Sequence, residues 1–183
     1  MNILSVVLLG ILTFIQPKNE SYLIISGKSI QVDGQTSIGG FSCNYNTSGQ
    51  SDTLFLNGRA ESPYHFILQV PRFQCGNYFL NKDFQSTLKA EQYPEVTLRV
   101  SEVKKVASGD LMGKVKLQLV GKSKVLDGIR FTQKCVQGRN YLTADISFSS
   151  KEFELNPPKR LGGLVKAEDL LKITVNLQYN EAG

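Results

Sequence analysis

Residues 41–45, FSCNY, and residues 73–77, FQCGN, carry the strongest structural information in this chain. In each stretch a cysteine follows a phenylalanine by two positions, in a composition that favours β-strand. Side chains alternate between the two faces of a strand, so Phe41 and Cys43 share one face, and Phe73 and Cys75 share another. If these faces meet, the two sulfur atoms can bond within an aromatic cluster. The pattern predicts an exported all-β domain with a disulfide.

The sequence contains three cysteines, so three pairings are open. The matched surroundings favour a bond between Cys43 and Cys75, which leaves Cys135 as a single thiol. The alternative is that all three are free, buried thiols. Because the chain has one histidine, His65, and no C-x-x-C spacing, the sequence predicts no metal site.

The N-terminus begins with an apolar run over residues 3–15, interrupted by Ser5, Gly10 and Thr13. The run is shorter than the ~20 residues that span a bilayer, and it is typical of the apolar region of a signal peptide. We therefore predict a signal peptide at 1–16, a single domain at 17–183, and a periplasmic or secreted location. The alternative is an uncleaved membrane anchor.

Alternation of apolar and polar residues dominates the chain from Ser21 onward, which is typical of half-buried strands. One helix is predicted over 81–90, with Asn81 as its N-cap and with Phe84 and Leu88 on one face. About eight strands and one helix predict a single closed antiparallel eight-stranded barrel with a short helix packed beside it. The strands are expected at 28–36, 37–45, 64–70, 96–100, 110–120, 124–136, 141–148 and 172–179.

The net charge of +5 is concentrated between Arg99 and Arg139, a stretch with ten basic residues and three acidic ones. One interpretation is attraction to an anionic membrane surface. The other, which the strict alternation at 114–119 favours, is the solvated outer face of strands. Nucleic-acid binding is not predicted, because few aromatic residues accompany the basic ones.

Catalytic motifs are missing from the sequence. There is no G-x-S-x-G, no phosphate-binding glycine loop and no H-E-x-x-H. His65 lies in a predicted strand, opposite the apolar face, and Cys135 has no histidine near it in the sequence. Glu152 and Glu154 can form a carboxylate pair, but nothing brings an acid–base partner to them. We therefore predict a protein that is not an enzyme and that needs no cofactor.

Several segments in this order resemble the YceI-like family, and most closely its cysteine-bearing version in exported proteins of Bacteroidetes-type bacteria. The resemblance covers about residues 21–180. The segments are FSCNY at 41–45, VPRFQCGN at 70–77, DF at 83–84, LKAEQYP at 88–94, FELNPP at 153–158 and GLVK at 163–166.

The resemblance implies a lipocalin-like barrel with a helix beside it. Some members of the family hold a polyisoprenoid chain inside the barrel, such as a polyprenyl phosphate or the tail of a quinone. Better-known members carry a histidine near the helix, whereas this sequence has Lys82, Asp83 and Gln85 there. The resemblance therefore predicts an exported protein that binds an isoprenoid lipid or a quinone.

Ten apolar residues of the alternating segments are the predicted lining of the ligand tunnel. The alternative is that the same side chains fill a solid core, in a ligand-free structural or protein-interaction module of the cell envelope. The sequence leaves the oligomeric state open. The predicted lining residues are Phe66, Leu68, Val70, Leu98, Val100, Leu117, Leu119, Ile173, Val175 and Leu177.

Overall fold

The computed structural model describes residues 21–56, 63–156 and 166–181. Within these ranges the chain forms eight strands, one α-helix and two 3-10 turns. The strands are β1 (Tyr22–Thr36), β2 (Gly39–Phe55), β3 (Tyr64–Gln69), β4 (Glu95–Lys105), β5 (Leu111–Leu119), β6 (Lys122–Val136), β7 (Arg139–Ser149) and β8 (Ala167–Glu181). The helix α1 is Tyr78–Thr87, and the 3-10 turns are Val70–Arg72 and Ser150–Phe153.

The predicted signal peptide or anchor at 1–16 lies outside the described residues. Among the residues that are described, no helix is long and apolar enough to cross a membrane.

The strands form one antiparallel sheet in the order β2-β1-β8-β7-β6-β5-β4-β3. Strand β6 is shared between two partners: its first part, to Phe131, pairs with β5, and its last part, Thr132–Val136, pairs with β7. The sheet curves into a half-barrel with β2 and β3 at its two edges. The prediction of a closed barrel is wrong, because the described parts of these two edges form no ladder with each other.

The early end of β3 explains the open seam. The strand stops at Gln69, and Pro71, which has no backbone N–H to donate, lies in the 3-10 turn that follows. Beyond the turn, Asn44 and Gln74 exchange backbone hydrogen bonds of 2.9 Å. Beside this bridge Cys43 and Cys75 form the predicted disulfide, with their Cα atoms 4.0 Å apart.

Helix α1 begins three residues earlier than predicted and ends at Thr87. Its N-cap is Asn77, whose side chain accepts a hydrogen bond from the Leu80 N–H at 2.9 Å. The predicted cap, Asn81, lies inside the helix and accepts a hydrogen bond from the Cys75 N–H at 2.6 Å. The helix therefore starts directly after the disulfide and is tied to it.

The concave face of the sheet carries the core, as the alternation predicts. In β5 every second residue from Leu111 to Leu119 is buried, and β3 and the first part of β4, to Val100, alternate in the same way. Phe131 and Leu142 close the core from the other half of the sheet, and Phe153 closes it from the second 3-10 turn. This continuous burial of apolar area is the main favourable contribution to folding.

We predict that replacing both Cys43 and Cys75 by alanine lowers the free energy of unfolding by about 3–4 kcal/mol. The bond joins residues 32 positions apart, and the chain-entropy model gives this magnitude for a loop of that length. Chemical denaturation measures the change, and Cys135→Ala, at an exposed free thiol, is the control. Equal stability of the double variant and the control would contradict the prediction, as would non-reduced peptide mass spectra with Cys135 bridged.

Candidate functional site

An apolar groove with a volume of about 520 Å³ opens at one end of the half-barrel. It lies between α1, the turn that joins β1 to β2, the start of β8 and the second 3-10 turn. The apolar side chains that line it are Val32, Ile38, Phe41, Cys43, Phe79, Leu80, Phe84, Leu88, Leu155, Ala167 and Leu171. The polar ones are Thr36, Asn77, Asp83, Thr87, Ser150 and Glu168.

Next to the groove, core side chains border a smaller void of about 40 Å³, which we call the interior void. This volume has room for about two or three water-sized groups. The two spaces share five lining residues, which therefore form the partition between the groove and the core. These residues are Val32, Phe84, Leu88, Leu155 and Leu171.

All ten predicted lining residues are buried on the concave face. Five of them, Leu68, Leu98, Leu117, Leu119 and Ile173, border the interior void. The other five are packed elsewhere in the core: Phe66, Val70, Val100, Val175 and Leu177. None of the ten lines the groove, so this site was missed, although Phe84 and Leu88 were recognised as one helical face.

Helix α1 forms the roof of the groove, and an aromatic stack holds it in place. The Phe73 ring lies between Tyr45, at 5.1 Å, and Phe84, at 5.0 Å between ring centroids. Such tilted pairs contribute about 0.5–1.5 kcal/mol each beyond the area they bury. Cys43 lines the groove from β2, and Asn77, two residues after Cys75, caps the helix. The disulfide therefore links the strand side of the groove to its helical roof.

Asp169 organises the opposite wall. Its carboxylate accepts hydrogen bonds from the hydroxyls of Ser149, at 2.7 Å, and Ser150, at 2.9 Å, and from the Lys151 N–H, at 3.0 Å. These bonds, Ser149 first among them, lower the pKa of Asp169 to about 2. The carboxylate thereby fixes the second 3-10 turn against the start of β8, and Ser150 and Leu155 line the groove from this turn.

A close approach at Gly34 shapes the floor. A Cβ atom on Gly34 would lie 2.4 Å from the ring of Phe41 and 2.9 Å from a methyl carbon of Leu171. Both side chains line the groove. The missing side chain therefore lets Phe41 and Leu171 approach β1 closely from its two neighbouring strands.

A cation faces the interior away from the groove. The Lys28 ammonium lies 5.2 Å from the ring centroid of Tyr64 and 5.4 Å from that of Phe66, and it pairs with Asp52 at 3.4 Å. Burial, reinforced by the Asp52 carboxylate, raises the pKa of the Tyr64 hydroxyl far above its usual range. Phe66, one of the predicted lining residues, therefore packs in the core with the Lys28 ammonium close to its ring.

The other candidate residues do not converge on one site. His65 is exposed on β3, and Cys135 is exposed on β6. Glu152 pairs with Lys124, and Glu154 with Lys122; these contacts lower the pKa of both carboxylates. Within the described ranges, no three His, Cys, Asp or Glu side chains are grouped as a metal site would need.

Comparison with solved structures identifies the architecture. A polyisoprenoid-binding domain from Saccharophagus degradans aligns with 89% of this chain and 99% of its own length, at a TM-score of 0.63 and 12% identity. BcnA from Burkholderia cenocepacia aligns with 82% of this chain and 95% of its own length, at a TM-score of 0.56 and 13% identity. The chain shares the fold of these two proteins. At such low identity the likeness establishes the fold alone.

A third structure, the YceI protein of Campylobacter jejuni, aligns with 67% of this chain and 73% of its own length, at 13% identity. Its TM-score of 0.46 is too low to carry an argument. No family model matches the sequence, and no curated protein matches it either.

We predict that Asp169→Asn destabilises the protein at neutral pH and that this effect disappears in acid. The folded state holds the pKa of Asp169 at about 2, below its ordinary value. The carboxylate therefore stabilises the fold fully above about pH 4, and this contribution is lost as the pH falls through about 2. Denaturation curves between pH 2 and 7 measure the difference from the unsubstituted protein.

Glu168→Gln removes the same charge from the neighbouring position, which is exposed, and serves as the control. A constant difference between Asp169→Asn and the unsubstituted protein across the whole pH range would contradict the prediction.

Proposed function

We propose that this protein binds one long apolar isoprenoid chain, such as a polyprenyl phosphate or the tail of a quinone. The apolar groove of about 520 Å³ is the observation that carries the proposal. A chain of this kind gains affinity from burying apolar area, at roughly 25 cal/mol per Å², and needs few polar contacts. The groove has this composition, with Phe41, Phe84 and Leu171 among its walls.

The interior void offers a route for extending the ligand. Phe84, Leu88 and Leu171 separate the groove from the void, and Phe84 and Leu171 are only partly buried. Rotation of these side chains joins the two spaces, so that the end of the ligand reaches Leu98 and Leu117. In this arrangement five of the ten residues predicted from the sequence contact the ligand.

The shared fold supports this proposal, since the neighbour from Saccharophagus degradans is described as a polyisoprenoid-binding domain. The disulfide supports an oxidising compartment, and we propose a periplasmic or secreted location. We also propose that the protein binds its ligand without catalysing a reaction on it. The candidate acid–base groups lie apart, and the groove is lined mainly by hydrocarbon.

The alternative function is a ligand-free structural or protein-interaction module. The small size of the interior void favours it, because 40 Å³ leaves most of the core filled by side chains. Organic extraction of protein isolated from its own envelope, followed by native mass spectrometry, distinguishes the two functions. Recovery of an isoprenoid at one molecule per chain supports the proposal, and consistently empty protein supports the alternative.

Leu171→Ala is predicted to weaken farnesol binding by about 5- to 30-fold. It removes a branched side chain from the groove wall, and loss of such contacts costs on the order of 1–2 kcal/mol. Leu170→Ala is the matched control, because Leu170 is the next residue of β8 and is 62% exposed. Titration calorimetry measures both affinities. If Leu170→Ala weakens binding as much as Leu171→Ala, the groove is not the binding site.

Leu98→Ala is predicted to weaken binding of a long polyprenol by a similar factor while leaving farnesol binding nearly unchanged. Leu98 borders the interior void. In the proposed arrangement only the longer chain reaches this void. Lys116→Gln, on the opposite face of the sheet, changes only a screened surface charge and is the control. Circular dichroism establishes that the Leu98 variant is folded. If folded Leu98→Ala binds polyprenol normally and Lys116→Gln does not, the ligand binds at a surface site and not in the interior.

A further inference from the structure

Three large apolar side chains project into solvent at the mouth of the groove. Ile38, in the turn between β1 and β2, is 77% exposed, and Phe79, in the first turn of α1, is 64% exposed. Both also line the groove, one from the β1–β2 turn and the other from helix α1. Tyr78 is 70% exposed and packs edge-to-face on Phe79, with ring centroids 5.7 Å apart. We call these three residues the apolar rim.

Two lysines flank the apolar rim. Lys166 exchanges hydrogen bonds with Ser37, next to Ile38: its carbonyl accepts from the Ser37 N–H at 2.9 Å, and its N–H donates to the Ser37 hydroxyl at 3.2 Å. Lys82 is exposed on α1, four residues after Tyr78, and so lies on the same side of the helix. The β1–β2 turn and helix α1 therefore each present exposed apolar side chains, with an exposed lysine beside them in the structure or in the chain.

This arrangement matches the interface of a phospholipid bilayer. Aromatic side chains favour the boundary between headgroups and acyl chains, and lysines there meet the phosphates. Two acidic residues, Asp83 and Glu168, also line the groove, so its surroundings carry charges of both signs, as do phospholipid headgroups. Exposed apolar side chains gathered around an apolar opening are costly in water, whereas insertion into a bilayer buries them.

We propose that the apolar rim and its two lysines dock the protein on a phospholipid bilayer, with the groove mouth facing the membrane. The proposal rests on the proposed function, because an isoprenoid chain is dissolved in bilayers and must pass between them and the groove. Docking in this orientation lets the chain slide from the acyl region into the groove without crossing water. The membrane site is therefore α1 and the β1–β2 turn, away from the basic stretch between Arg99 and Arg139.

The chain contains no tryptophan, so one introduced tryptophan reports on one place. Phe79→Trp places the reporter on the apolar rim, and Val125→Trp places it on β6, where Val125 is 54% exposed. Each variant, made in the full chain, is mixed with vesicles of phosphatidylethanolamine and phosphatidylglycerol carrying brominated acyl chains. We expect a blue shift and quenching for Phe79→Trp and neither for Val125→Trp. An unchanged Phe79→Trp spectrum, or equal responses of the two reporters, overturns the proposal.

Charge-reversal variants test whether the apolar rim or the basic stretch contacts the membrane. Lys82→Glu with Lys166→Glu is expected to lower the vesicle partition coefficient by at least roughly fivefold per lysine, measured by the Phe79→Trp signal. Lys104→Glu with Lys105→Glu makes the same change in net charge at exposed positions at the far end of β4. A larger loss from the Lys104 and Lys105 pair overturns the proposal and assigns the membrane contact to the basic stretch.

Farnesol binding in the absence of vesicles tests the proposed function separately. Farnesol binding without a Phe79→Trp response overturns the docking surface and leaves the groove as a ligand site. A Phe79→Trp response without farnesol binding supports the docking surface and overturns the isoprenoid function. If neither farnesol binding nor the Phe79→Trp response is observed, both the docking surface and the isoprenoid function are overturned.

Discussion

The open seam between β2 and β3 is the constraint on which the rest of the structure depends. Strand β3 ends after six residues at the turn containing Pro71, so most of the longer strand β2 has no partner there among the described residues. The Cys43–Cys75 bond joins the two edges at a single place, beside the Asn44–Gln74 bridge. Because α1 starts directly after this junction, a helix rather than a strand covers this end of the half-barrel.

The groove follows from this arrangement. A helix laid over the edge of a curved sheet cannot match its surface everywhere, and the aromatic stack of Tyr45, Phe73 and Phe84 fills only one side of the interface. On the other side, Asp169 holds the second 3-10 turn at a fixed position. The apolar groove lies between these two supports, and beside it the core is packed around a void of about 40 Å³.

The two ends of the concave face differ in chemistry. The groove beside α1 is lined mainly by apolar side chains, whereas at the other end Lys28, which pairs with Asp52, lies over the rings of Tyr64 and Phe66. A charged pair that is partly buried gains from staying intact and resists displacement by an apolar chain. The most exposed aromatic side chains, Tyr78 and Phe79, lie at the α1 end, away from this pair.

Local sequence determined which side chains point inward and which cysteines pair. Alternation around Leu98 in β4 and around Leu117 in β5 directs both side chains into the core. The matched residues on either side of Cys43 and of Cys75 indicated their bond, so each signal is local to its own stretch of sequence. The tertiary structure alone decided that the barrel stays open, that Asn77 caps α1, and that Phe41 and Leu171 meet across Gly34. It also decided that Lys28 faces inward, because a bulge between Ile25 and Gly27 shifts the alternation of β1. These outcomes depend on edges, bulges and helix docking between distant segments, which a period of two residues does not encode.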